Sequence, residues 1–108
     1  ARIWRNRYNG PGDANANTAI ALAASPVAPE VIVTGFSIGI TSSYDFATLS
    51  YDSSTGMARW VNRYNGSGNG IDQPRALAIS EDGSRVFVTG RSSGETTAYD
   101  YATVAYGR

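Results

Sequence analysis

Near the start of the chain Asp13, Asn15 and Asn17 alternate in the spacing with which the oxygen ligands of a calcium loop open. The glycine and the distal glutamate that complete such a loop are missing, and the later segment Asn69 to Asp72 does not repeat the spacing. Asn and Asp also collect in loops because their side chains satisfy the local turn backbone, so no metal is assigned. Glu81-Asp82 is a second place to look for chemistry, since glycoside hydrolysis needs two carboxyl groups about 5 to 10 Å apart. These two residues are followed by Gly83-Ser84, and Asp and Gly belong in a tight turn on conformational grounds alone.

Composition narrows the chemistry further. All basic residues among the 108 are arginine, and histidine, lysine and cysteine are absent. That removes the common general base of neutral pH, the Schiff-base amine and the thiolate, together with thiolate zinc and iron–sulfur sites. The expectation is a protein that is not an enzyme and uses no cofactor. Nine arginines balance nine acidic residues, so no net field recruits nucleic acid or an anionic membrane. No apolar run approaches the roughly 20 residues that cross a bilayer, and Ala1-Arg2-Ile3-Trp4 does not open an apolar leader stretch.

The elements that must carry these residues are given by a repeat. Trp4, Asn6 and Arg7-Tyr8-Asn9-Gly10 return as Trp60, Asn62 and Arg63-Tyr64-Asn65-Gly66 at an offset of 56. Val33-Thr34-Gly35 and Tyr44-Asp45-Phe46-Ala47-Thr48 return as Val88-Thr89-Gly90 and Tyr99-Asp100-Tyr101-Ala102-Thr103 at an offset of 55. Ala19 to Leu22 and Ala76 to Ile79 read as an inner strand buried on both faces. The turn Glu81 to Ser84 then leads into Arg85 to Gly90, rich in β-branched and aromatic residues. Tyr99 to Tyr106 supplies a third strand, and the alternating Met57 to Tyr64 an outer one with one wet face. Gly35 and Gly90 are expected at a tight bend at a strand end.

Four strands per unit of about 55 residues is the pattern of a β-propeller blade. The expected fold is all-β, a single two-blade segment over 1–108, with repeat 1 at about 4–59 and repeat 2 at about 60–108. The strand at 1–8 is expected to complete the second blade, as propellers close by joining their terminal strands. Two twisted sheets cannot surround an axis, and known propellers use about four to eight blades. The expected partner is therefore the chain itself, three copies giving about six blades or four giving about eight.

The string Trp-x-Asn-Arg-Tyr-Asn-Gly, an apolar strand, Val-Thr-Gly and Tyr-Asp-aromatic-Ala-Thr resembles the SBBP-type bacterial β-propeller repeat. The resemblance runs through Trp4 to Gly10 with Val33 to Tyr51, and through Trp60 to Gly66 with Val88 to Tyr106. It implies a propeller scaffold or adhesion module of extracellular or cell-surface bacterial proteins, and it brings no catalytic residues. Two repeats are fewer than a ring, which suits a designed or excised segment.

Residues recurring in both units are expected to solve the folding problem both units share. Trp4, Tyr8, Trp60 and Tyr64 are assigned to packing, and Asp45 and Asp100 to capping a turn. The alternative function is lectin-like. Asn9, Asp13, Asn15, Asn65, Asn69, Asp72, Arg91 and Glu95 are expected on one loop rim, where amides, carboxylates and arginine beside tyrosines suit sugar hydroxyls.

Overall fold

The computed structural model describes residues 1–12, 16–40, 43–66, 70–94, 96 and 98–107, and these form two antiparallel sheets with no helix among them. The first sheet holds β1 (Asn17–Ala24), β2 (Glu30–Ile38), β3 (Tyr44–Asp52) and β4 (Ala58–Tyr64) in that order. The second holds β5 (Asp72–Ile79), β6 (Arg85–Ser92) and β7 (Asp100–Gly107), again in sequence order. The all-β class is as expected, and both sheets are open rather than closed on themselves.

Turn chemistry sets the meander. Between β3 and β4 the Asp52 carboxylate accepts from the backbone N–H of Ser54 and Thr55, and Gly56 takes φ 77°. Between β5 and β6 Asp82 accepts from the N–H and hydroxyl of Ser84 and from the Ser80 hydroxyl, and Gly83 takes φ 74°. Both glycines sit in the left-handed region where a Cβ is costly. These bonds hold the Asp82 carboxyl down at about 2, below its ordinary 3.8, and hold Asp52 below its ordinary value as well.

Gly35 and Gly90 are not at strand ends. Each lies within a strand, beside a register shift between Ala19 and Ala21 or between Pro74 and Ala76. A Cβ on Gly35 would stand 2.0 Å from the Thr18 carbonyl oxygen, and one on Gly90 2.1 Å from that of Gln73. The glycines are there for close backbone approach at a β-bulge, and the bulge also accommodates Pro74, which has no N–H for the ladder.

The sheets stack with one shared core. Ile32 and Phe46 of the first sheet meet Val86 and Val88 of the second, flanked by Trp60, Tyr64, Leu77, Ile79, Val104 and Tyr106. A second apolar cluster lies on the far face of the first sheet, where Ala47, Leu49 and Tyr51 are covered by Trp4 and Tyr8. The N-terminal segment is thus not a fourth strand of the second sheet in the single chain. Residues 1–10 carry no strand pairing and lie across the face of the first sheet, held by their aromatic side chains. Nor is β1 buried on both faces, since Ile20 and Leu22 are exposed: the first sheet's far face is covered only where the N-terminal segment reaches.

Candidate functional site

Arg63 gathers the far face of the first sheet. It stands on β4 opposite Ala47 of β3, on the same face as the paired Ser37 and Asp45. Its guanidinium donates to the Tyr8 hydroxyl at 2.7 Å, to the Ser37 hydroxyl at 3.0 Å and carbonyl at 2.9 Å, and to the Asp45 carboxylate at 3.2 Å. Asp45, expected as a turn cap, is buried and makes an ion pair with Arg63. The planar fork of arginine suits this, because its donors can reach several acceptors at once.

The N-terminal segment is tied down beside this network. The Trp4 indole N–H donates to the Ser53 carbonyl at 2.8 Å, and the Asn6 amide donates to the Gly56 carbonyl at 2.7 Å. A Cβ on Gly56 would lie 2.5 to 2.9 Å from Trp4 ring atoms, so glycine is needed there for contact as well as for φ. The Trp4 and Tyr51 rings lie 6.1 Å apart. Burial pushes the Tyr51 phenol up from its ordinary 10.0, and neighbouring Tyr8 adds to the shift. Beside these side chains a cavity of about 340 Å³ opens, lined by Trp4, Tyr8, Leu22, Val33, Leu49 and Tyr51 among others.

This arrangement copies one inside the chain. At the repeat's offsets Trp60 corresponds to Trp4 and Tyr106 to Tyr51, and the Trp60 and Tyr106 rings lie 6.0 Å apart. The outer strand β4 therefore leans on the second sheet as residues 4–8 lean on the first. One difference matters. The second sheet's face receives Ile32 and Phe46 as well as Trp60 and Tyr64, whereas among the described residues the large apolar side chains laid on the first sheet's far face are Trp4 and Tyr8, and the cavity lies beside them.

The opposite end of the stack is bare. Ile32 and Phe46 have no exposed surface, while their counterparts Phe87 and Tyr101, on the outer face of the second sheet, are 39% and 97% exposed. A depression there is lined by Ala76, Leu77, Ala78, Phe87, Thr89 and Thr103. The hydroxyls of Thr89 and Thr103 pair at 2.9 Å there, as those of Thr34 and Thr48 pair at 3.0 Å in the buried interface.

Among the described residues expected on one rim, Asp72 and Arg91 are each engaged by a neighbour in their own unit. Asp72 is fully buried, accepting from the Gly66 N–H and the Ser92 hydroxyl; it closes its own loop and does not face solvent. Asn17 does the same in the first repeat, accepting from Gly10 N–H and the Ser37 hydroxyl and donating to Asn9. Arg91 is held by Gln73 and lies 4.4 Å over the Tyr99 ring. Asn65 is exposed just past β4, and Asp100 is exposed at the start of β7. Asp13, Asn15, Asn69 and Glu95 lie outside the described residues. Among the described residues no three acidic side chains come together as a metal site would require.

Sequence reasoning passed over Arg63 and Ser37 as a pair. The signal was available, because Arg7, Ser92 and Asp100 occupy the matching positions of the other unit. Comparison with family models, with curated proteins and with solved structures returned no match.

Proposed function

We propose that this chain is a non-enzymatic β-propeller segment, an SBBP-type scaffold or interaction module that assembles with copies of itself into a closed ring. The carrying observation is the unequal cover of equivalent faces: Phe87 and Tyr101 are exposed where Ile32 and Phe46 are fully buried. Exposing a large aromatic costs on the order of 2 kcal/mol relative to burying it, and an apolar sheet face of this kind marks an interaction surface. No specific observation favours the carbohydrate-binding rim, since Asp72 is spent inside its loop and Arg91 is engaged by Gln73 and Tyr99.

Native mass spectrometry together with light scattering tests the reading. The expected result is a discrete species of three or four chains that loses its cooperative melt on dilution. A concentration-independent, sharply melting monomer overturns it.

A further inference from the structure

We infer that the cavity beside the N-terminal segment is the socket for Phe87 and Tyr101 of a second copy of this chain. The inference rests on the self-assembly reading above and specifies its contact. The template is the chain's own interface, in which the face of the second sheet accepts four side chains, Ile32, Phe46, Trp60 and Tyr64. On the far face of the first sheet Trp4 and Tyr8 stand at the positions corresponding to Trp60 and Tyr64. The counterparts of Ile32 and Phe46 are Phe87 and Tyr101, and in the same chain they lie on the opposite side of the molecule. They reach this cavity only from another copy. Leu22 follows the same logic: it is 67% exposed, while its counterpart Leu77 packs in the covered interface.

The contact is heterologous, one face of each copy meeting a different face of the next, so it repeats from copy to copy and forms a ring where the rotation closes. It also fixes a strand register. In the first sheet β4 pairs with β3 as Tyr64 with Phe46, Arg63 with Ala47, Asn62 with Thr48 and Trp60 with Ser50. Carried over at the repeat's offsets, Tyr8 of one copy lies opposite Tyr101 of the next, Arg7 opposite Ala102, Asn6 opposite Thr103 and Trp4 opposite Ala105. The edge of β7, whose only partner strand among the described residues is β6, receives residues 4–8 in this way. Arg7 then stands to Asp100, Ser92 and Tyr64 as Arg63 stands to Asp45, Ser37 and Tyr8. Three exposed arginines, Arg2, Arg5 and Arg7, lie in the incoming segment, and the receiving strand opens on exposed Asp100.

The chain has no cysteine, which allows a clean test. Asn6→Cys in one preparation is mixed with Thr103→Cys in another under mild oxidation, and intermolecular disulfides are read by mass. Asn6→Cys mixed with Ala105→Cys, two residues out of register, is the comparison. Formation of the first disulfide at least about 10-fold faster than the second, in line with the steep geometric demands of the bond, supports the inference. A second measurement is the assembly of Tyr101→Arg. Tyr101 is 97% exposed in the single chain, so the variant keeps its fold; the expected loss of assembly affinity is about 30-fold or more, as for a central aromatic anchor.

Assembly that persists with equal cross-linking at both positions, or that ignores Tyr101→Arg, overturns this contact and leaves self-assembly standing. Chains that fail to associate at all overturn both.

Discussion

Arg63 joins β2, β3, β4 and the N-terminal segment through one guanidinium. Its partner Asp45 is only 6% exposed at the side chain, so removing the cation leaves a buried carboxylate without its ion pair. Arg63→Ala should therefore destabilise by about 2 to 4 kcal/mol in urea unfolding, more than an exposed ion pair is worth. Arg63→Lys should recover only part of this, because one ammonium cannot reach all four acceptors. A loss below about 0.5 kcal/mol, the size of an ordinary surface substitution, would show that the network is not structural. Gly35→Ala makes a sharper demand. The added methyl meets backbone, the Thr18 carbonyl, and backbone at a bulge cannot swing aside as a side chain does. The expected cost is about 2 kcal/mol or more in thermal melting, against about 0.5 kcal/mol of gain where a strand tolerates the change.

Hairpin turns and the N-terminal segment are the elements whose behaviour can be isolated. Asp82 has its carboxyl held at about 2 in the folded chain against an ordinary 3.8. A group depressed by folding stabilises above its unfolded value and loses that contribution as pH falls through the folded value. The β5–β6 hairpin should accordingly weaken between about pH 4 and pH 2. Asp82→Asn should flatten that part of the stability profile in pH-dependent denaturation, while an unchanged slope would assign acid sensitivity elsewhere. Asp52 acts in the same direction in the β3–β4 turn. At the other end of the chain, deleting residues 1–8 removes Trp4 and Tyr8 from the Ala47, Leu49 and Tyr51 cluster. The truncated chain should lose the proposed self-association and show a lower melting point in scanning calorimetry. Retention of both would mean that the segment is a passive arm.

At the scale of the molecule, two stacked sheets bury three of their four broad faces to different degrees. The shared interface is closed, the far face of the first sheet is partly roofed by residues 4–8, and the outer face of the second is open. A heterologous contact between the last two repeats until the rotation closes, or runs on as a filament when it does not. Electron microscopy of the assembled chain should show closed rings of one diameter. Filaments of indefinite length would mean that the rotation per copy does not divide a full turn.

The strand segments β1 to β7 and the hairpin turns were legible in the letters, because they follow from local rules: alternation of side chains and turn-forming Asp and Gly. Gly35 and Gly90 are visible as recurrent, but their task is not, since a bulge is defined by the partner strand's register and that strand lies more than a dozen residues away. The burial of Asp72 is hidden for a similar reason, since the groups that donate to its carboxylate, the Gly66 N–H and the Ser92 hydroxyl, are 6 and 20 residues distant. The sequence by itself determined an all-β chain built from aromatic and β-branched segments, with no histidine, lysine or cysteine for chemistry. Only the tertiary structure decided which copy of each repeated residue is buried. Phe46 and Tyr101 are the same position in two units, yet one is enclosed and the other open, because burial belongs to the neighbouring sheet and is not written in the residue.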